Sequence, residues 1–260
     1  MQLVRYEVRN AAAVLTLERP EKRNALSRAL IASLFEHVEL ASNDAAVRCL
    51  ILTGSGSAFC AGMDLDELRG TVENNVEAEL VWDDAQKLSQ LYQRIYELPK
   101  PTIAAVNGAA VAGGAGLVTV CDLAVCVPPA KFGYPEVRRG LVAAMVLPHL
   151  LRHVGERAAR WMLLTGELID AAEAHRIGLV NAIAEPDELL PTAFRWAASC
   201  SEGGPKALAT TKELLRRCSK QNMSVEELSQ ASAEPRLNEE CRGGLMAFFG
   251  KHQAPWMSQS

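Results

Sequence analysis

The feature of the sequence that most constrains the fold is a repeated unit of buried strand, small-residue loop and helix. Three compact apolar runs, 47–53, 102–106 and 123–127, are typical of strands that are buried on both faces. The first two are each followed by a loop of small residues, 54–62 and 107–116, and then by apolar residues at helical spacing. Alternation of strands and helices predicts an α/β fold with a parallel sheet.

The rest of the chain divides into strands near its start and helices towards its end. The patterns predict strands at 3–8 and 13–17 and helices at 28–38 (capped by Ser27), 64–68, 73–98, 117–120, 146–154, 156–164, 171–177, 188–201, 205–219 and 225–249. The strand patterns stop well before residue 200. We therefore expect an α/β core over 1–200 and an all-helical region over 201–260, which packs on the core or on a partner subunit.

Composition excludes several classes of protein. With 49% hydrophobic and 22% charged residues, the 260-residue chain has enough apolar material for a sizeable core. Lys and Arg number 27 against 31 Asp and Glu, and no basic stripe is present, which argues against a nucleic-acid partner. The seven cysteines are scattered and form no CxxC pair, so we expect neither disulfides nor a zinc knuckle, and a reducing cytoplasmic location.

Two segments bear on targeting and on membranes. The first twenty residues carry five charges and therefore lack the apolar stretch of a signal peptide. Residues 101–121 are uncharged and long enough to span a bilayer, but they contain one proline, four glycines and a single leucine. This composition favours a buried strand followed by a buried helix, so we expect no membrane partner.

The two small-residue loops indicate where a ligand binds. Residues 57–65 and 107–116 each lead from a buried strand into a helix, whose first backbone N–H groups point forward. Two such groups that converge on one oxygen form an oxyanion hole. The second loop is neither a GxGxxG dinucleotide motif nor a phosphate loop, since no GK[ST] follows it. Either loop alone would also be explained by a tight turn or by close helix packing.

Five motifs together resemble the enoyl-CoA hydratase/isomerase (crotonase) superfamily. They are ERPEKRNALS (18–27), AFCAGMDL (58–65), VNGAAVAGGAGL (106–117), KFGYPEVRRGL (131–141) and GERAARWMLLTGELIDAAEAHRIGLVNAI (155–183). The resemblance implies a spiral of ββα turns with helices on the outside, a C-terminal helical part, and assembly as a homotrimer or a dimer of trimers. Within the superfamily the pattern is closest to bacterial single-glutamate enoyl-CoA or methylglutaconyl-CoA hydratase-like members.

The resemblance also implies the catalytic residues. The backbone amides of Met63 and Gly113 correspond to the two oxyanion donors, and Glu136 corresponds to the acid–base carboxylate. Hydratases of the family commonly carry a second glutamate, at the position where this chain has Gly116. Without the motif around it, Glu136 would be interpreted as an exposed glutamate beside Arg138 and Arg139.

Further residues are implied to bind the coenzyme A part of the substrate. They are Lys22, Arg23, Ala25, Ala61, Asp64, Leu65, Phe249 and Lys251. In relatives the residues that match Phe249 and Lys251 reach the coenzyme A of a neighbouring subunit. Asp64 is explained equally well as an acidic residue at a helix N-terminus, and Lys251 as a solvated terminal lysine.

The resemblance predicts hydration of a 2-enoyl-CoA thioester to a 3-hydroxyacyl-CoA. Isomerisation of an enoyl-CoA double bond is the alternative, because one carboxylate suffices for it. An acyl-CoA-binding or RNA-binding relative without activity is an alternative of another class. We expect no metal and no redox cofactor, since coenzyme A belongs to the substrate; His149 and His153 have metal-ligand spacing, but no third ligand is evident.

Overall fold

A computed structural model describes residues 2–73, 78–219, 224, 227, 229–231 and 239–257 of the chain. The strands are β1 (Val4–Arg9), β2 (Ala12–Leu17), β3 (Cys49–Gly54), β4 (Ala58–Cys60), β5 (Thr102–Val106), β6 (Ala109–Val111), β7 (Leu123–Cys126), β8 (Lys131–Gly133), β9 (Ile169–Asp170) and β10 (Ala182–Ile183). The helices are α1 (Arg28–Asn43), α2 (Leu65–Glu73), α3 (Ala78–Tyr96), α4 (Gly113–Thr119), α5 (Leu147–Thr165), α6 (Ala171–Arg176), α7 (Leu189–Ser201), α8 (Pro205–Cys218) and α9 (Glu239–Gly250).

The larger sheet has six strands in the order β1-β2-β3-β5-β7-β10. β1 and β2 form an antiparallel hairpin, and every other neighbouring pair is parallel. All residues of β2 and β5 are buried, which is why these strands read as continuous apolar runs. The predicted α/β fold with a parallel sheet is confirmed.

The smaller sheet, in the order β4-β6-β8-β9, was missed by the sequence patterns. The prediction that 54–62 and 107–116 are loops throughout was wrong, because they contain β4 and β6. These strands have three residues each, which is too short for a period of two to be recognised. α4 begins at Gly113 rather than at residue 117. Its Gly-rich sequence has poor helix propensity, but all seven of its residues are buried, so tertiary packing outweighs propensity and the segment is helical.

The two sheets are connected as a spiral of ββα turns. β3 in the larger sheet leads to β4 in the smaller sheet and then to α2, and β5 leads to β6 and α4 in the same way. The third turn runs from β7 through β8 to α5. β4 pairs with β6 in parallel, with Ala58 opposite Ala109 and Cys60 opposite Ala110. The ends of these strands, from which both small-residue loops continue, are therefore side by side.

Apart from α4, the helices follow the predicted pattern along the described residues. Ser27 caps α1 as expected, since its Oγ accepts a hydrogen bond from Leu30 N at 3.2 Å. The two helices predicted at 146–154 and 156–164 are confirmed as two helical segments of α5, which meet at a kink at Gly155, whose φ of 69° is not helical. Within the helix predicted at 73–98, α3 covers Ala78–Tyr96, and 74–77 lie outside the described residues. Of the helix predicted at 225–249, α9 covers Glu239–Gly250, and most of 225–238 lies outside the described residues.

The helices beyond residue 200 contact the α/β core. Lys212 of α8 forms an ion pair with Asp122 and donates to Lys100 O. Arg48 donates hydrogen bonds to Gly203 O and to Trp256 O, at 2.8 and 3.2 Å. The C-terminal region therefore packs on its own core, and its role in trimer formation stays a prediction.

Two further observations concern the cysteines and membranes. Among the described residues no two cysteines form a disulfide. Burial raises the pKa of the Cys60 thiol to about 12, so this side chain beside the first loop is an inert core residue. Residues 101–121 form β5, β6 and α4. In the described part of the chain no helix has the length and apolar character to cross a bilayer.

Candidate active site

A cavity of about 830 Å³ lies where the two small-residue loops meet the 3-10 turn Pro135–Arg139. Nine residues assigned to the site from the sequence line it: Lys22, Arg23, Ala25, Ala61, Met63, Asp64, Leu65, Gly113 and Glu136. Phe249 and Lys251 are not part of this lining, and the Phe249 side chain is 75% exposed. Their contact with the coenzyme A of a neighbouring subunit stays a prediction.

The backbone around Met63 directs one free amide away from its own strand partner. Leu26 N–H donates to Gly62 O at 2.7 Å, and Leu26 O accepts from Asp64 N–H at 3.1 Å. These bonds form a parallel bridge that uses the polar groups on either side of Met63. Because successive N–H groups of an extended segment alternate in direction, the Met63 amide points to the opposite side. This amide is therefore available to a ligand in the cavity that Met63 lines.

Asp64 holds this segment in place. Its Oδ2 accepts from Arg19 Nη2 at 2.9 Å, and its Oδ1 accepts from Asp66 N–H at 3.0 Å. Burial acts to raise the pKa of Asp64, but the Arg19 hydrogen bond and the Asp66 and Glu67 amides outweigh it and hold the pKa below its usual value. The carboxylate thus stays charged and ties α2 to the loop, as expected for an acidic residue at a helix N-terminus.

The second amide belongs to Gly113, the first residue of α4. At this position a helix has no acceptor of its own for the N–H group. Ala112, which precedes it, has φ 53° and ψ −124°, a strained conformation for a residue with a Cβ. The strain is held by two hydrogen bonds, from Ala112 N–H to Gly133 O at 2.8 Å and from Gly116 N–H to Ala112 O at 3.1 Å.

Gly62 allows the two loops to touch. Its φ is +91°, and a Cβ at this position would lie 2.8 Å from Ala112 Cβ and 3.3 Å from Gly113 N. Any side chain would therefore push the N-terminus of α4 away from the segment that carries the Met63 amide. The close approach brings the Met63 and Gly113 amides into one site.

Glu136 lies in the 3-10 turn and is half-buried. Its Oε2 is buried and has no hydrogen-bond partner among the described residues. Burial raises the pKa of Glu136, while its own backbone amide and the charge of Arg139 act in the opposite direction. A carboxylate that is partly desolvated, has one oxygen without a partner and belongs to the lining of a cavity is a candidate acid–base group.

Tyr92 of α3 also lines the cavity and was missed by the sequence analysis. Its side chain is 1% exposed, and its hydroxyl donates to Gly113 O at 2.7 Å. A Cβ at Gly116 would lie 2.7 Å from Tyr92 Oη and 2.5 Å from Val146 Cγ1. The position of the second glutamate of the family is thus filled by other side chains. The spacing of four from buried Leu88 is the signal that assigns Tyr92 to the same helix face.

The remaining lining is mostly apolar. It includes Leu88, Val142, Ala143, Met145 and Leu168, which suit an acyl chain.

The two histidines with metal-ligand spacing contact protein groups. The His153 ring lies 2.9 Å from Thr119 O through Nε2, and the His149 ring packs against Tyr96. Among the described residues no group of three or more His, Cys, Asp or Glu side chains is arranged to hold a metal ion.

Comparisons with known proteins identify the family of this chain. A family model described as enoyl-CoA hydratase/isomerase matches residues 7–259. A Thermus thermophilus protein assigned to the enoyl-CoA hydratases is 43% identical over 243 residues, which are 92% of this chain and 94% of that protein. The crotonyl-CoA hydratase of Syntrophomonas wolfei is 34% identical over 257 residues, which are 95% of each chain.

A solved structure agrees with the fold along nearly the whole chain. The crystal structure of an enoyl-CoA hydratase from Shewanella pealeana superposes with a TM-score of 0.93 at 30% identity, covering 98% of this chain and 96% of that one. The chain therefore belongs to the enoyl-CoA hydratase/isomerase family, within the crotonase superfamily.

Proposed function

We propose that the protein adds water to a 2-enoyl-CoA thioester to give a 3-hydroxyacyl-CoA, with Glu136 as the single carboxylate that transfers protons. The family and its hydratase relatives support hydratase-type lyase activity in general. The observation that carries the finer proposal is that Glu136 lines the same cavity as Met63 and Gly113, while its Oε2 is buried and has no hydrogen-bond partner among the described residues.

The other carboxylates along the cavity are less suited to this role. Asp64 is bound by Arg19 and Asp66 by Lys22, at 2.9 and 2.8 Å. Glu21 is exposed to solvent, whereas Glu136 is half-buried. Glu136 is therefore the carboxylate with both the position and the environment of a base.

The proposed reaction runs through an enolate. The Met63 and Gly113 amides donate to the thioester oxygen while the Glu136 carboxylate removes a proton from water. The water oxygen bonds to C3, and the electron pair of the double bond moves towards the thioester oxygen. Glu136 then returns its proton to C2, so that one water is added and the enzyme is unchanged. Each amide contributes about 3 kcal/mol to the stability of the developing oxyanion.

The rest of the substrate is assigned by charge and polarity. Lys22 and Arg23 at the cavity are suited to the coenzyme A phosphates, and the apolar lining is suited to the acyl chain. In a homotrimer or dimer of trimers, Phe249 and Lys251 would come to this site from the neighbouring subunit; the exposure of the Phe249 side chain is compatible with that. The chemistry requires no metal or redox cofactor.

The test compares two substrates in water labelled with heavy oxygen. With a short 2-enoyl-CoA, we expect a product that is heavier by one water and carries the label at C3. With a 3-enoyl-CoA of equal length, we expect little product. If the 3-enoyl-CoA is instead converted to a product of unchanged mass, the activity is isomerisation and not hydration. One carboxylate also permits that reaction. Binding of both esters without turnover would identify a non-catalytic acyl-CoA-binding protein.

Removal of the Arg139 charge is expected to move the acid limb of the pH profile of kcat upwards. The base must be deprotonated, so activity is lost as pH falls through the pKa of Glu136. Burial raises that pKa and Arg139 lowers it, so Arg139→Gln raises it further. In the matched control Arg138→Gln, a neighbouring guanidinium that donates to Thr165 O is removed. An acid limb that stays in place in Arg139→Gln, or moves equally in both variants, would contradict the assignment of Glu136 as the base.

A further inference from the structure

Two glycines of α4 form a recess that the Tyr92 side chain fills. Gly113 and Gly116 are three residues apart and so lie on one face of the helix. A Cβ at Gly113 would be 3.0 Å from Tyr92 Oη, and a Cβ at Gly116 would be 2.7 Å from the same atom and 2.9 Å from Cζ. The tyrosine hydroxyl therefore occupies the space that both side chains would need.

The hydroxyl is a permanent hydrogen-bond donor in this recess. It donates to Gly113 O at 2.7 Å. Burial raises the pKa of Tyr92 well above its usual value, and the negative charge of the Glu136 carboxylate adds to the effect. Tyr92 thus stays neutral at any pH at which an enzyme works, and its proton stays on the bond to Gly113.

Gly113 is fixed on both sides as a result. The peptide group before it, which carries its amide, is anchored where Gly116 N–H donates to Ala112 O. The peptide group after it is anchored by the Tyr92 hydroxyl. Ala112 is strained, and a strained conformation of this kind persists only when the surrounding contacts enforce it.

We propose that Tyr92 is a positioning residue of the oxyanion hole. Its hydroxyl fixes Gly113, and its side chain leaves room only for glycine at position 116. The inference rests on the proposed function, in which the Gly113 amide binds the thioester oxygen. It also accounts for the single carboxylate: a glutamate at position 116 would overlap Tyr92 and Val146, so proton transfer is left to Glu136.

The test is Tyr92→Phe, which removes the hydroxyl and keeps the ring. We expect kcat for a 2-enoyl-CoA to fall about tenfold, the effect of one buried hydrogen bond, with KM nearly unchanged. The affinity for the enolate of acetoacetyl-CoA, measured by its absorbance, should fall by a similar factor, while the affinity for free coenzyme A stays the same. If Tyr92 had a merely structural role, its replacement would not lower the affinity for the enolate while leaving the affinity for free coenzyme A unchanged.

The matched control is Tyr96→Phe, one turn further along α3. Its ring packs against His149 and under Arg152 and is not part of the cavity lining. We expect parental kcat and enolate affinity in this variant. Melting temperatures of all three proteins show whether a loss of fold contributes to any difference.

The outcomes separate this inference from the proposed function. If the parent hydrates enoyl-CoA and Tyr92→Phe retains full kcat and enolate affinity, Tyr92 does not position the hole. The same conclusion follows if enolate and coenzyme A affinities fall together, or if the parent binds no enolate. If the parent binds the enolate but hydrates nothing, the proposed function is wrong, and a selective loss of enolate affinity in Tyr92→Phe still supports the positioning role.

Discussion

The variant Glu136→Gln is expected to lose about 10²–10⁴-fold in kcat while binding coenzyme A esters as tightly as the parent. Glutamine keeps the size and hydrogen-bonding reach of the side chain but takes no proton at neutral pH. The loss should therefore appear in kcat and leave KM nearly unchanged, because the interaction removed is made in the transition state. Steady-state kinetics with a short 2-enoyl-CoA, together with equilibrium binding of acetoacetyl-CoA, measure the two effects separately.

The matched control is Glu21→Gln, which also removes one carboxylate from the cavity lining. Glu21 is exposed, so we expect parental kcat and at most a small change in KM. Substantial turnover in Glu136→Gln would contradict the assignment of Glu136 as the proton-transferring carboxylate. Asp64 and Asp66 could not be invoked to preserve that assignment, since both are engaged in ion pairs. Equal losses in both variants would point to the net charge of the cavity rather than to proton transfer.

The larger sheet was predictable from the sequence because its central strands are continuous apolar runs. β3 and β5 are buried on both faces, and each is bounded by a small residue or a proline. The smaller sheet was not predictable in this way. β4 and β6 have three residues each and are stabilised by pairing with each other and with β8, a contact between segments that are distant in sequence.

The site was predicted to a different extent for each group. The small-residue loops alone indicated convergent amides, but the choice of Met63, Gly113 and Glu136 came from the resemblance to a family. The relation between Gly116 and Tyr92 was not predicted, because they lie on different helices and meet only in the folded chain. A sequence shows that a glutamate is absent at 116, whereas the structure shows which side chains take its space.

The variant Gly62→Ala is expected to lose about 10²–10³-fold in kcat, the cost of removing one oxyanion donor. The added methyl group would lie 2.8 Å from Ala112 Cβ and 2.9 Å from Val111 O, so the start of α4 must move away from the first loop. The Met63 and Gly113 amides would then no longer meet at one oxygen. The affinity for the enolate of acetoacetyl-CoA should fall with kcat, whereas the affinity for free coenzyme A, whose phosphates we assign to Lys22 and Arg23, should stay the same.

Part of any effect at this position comes from backbone conformation alone. Gly62 has φ +91°, where a residue with a Cβ costs about 1–2 kcal/mol. Gly155 has φ +69° and ψ 172°, a conformation that residues other than glycine rarely adopt, and nothing lies within 4 Å of an added Cβ. Gly155→Ala therefore carries a conformational cost without the contact. We expect both variants to lower the melting temperature and only Gly62→Ala to lower kcat strongly. Parental kcat in a folded Gly62→Ala protein would mean that the loops need not touch, and that the Met63 and Gly113 amides do not act on one oxygen.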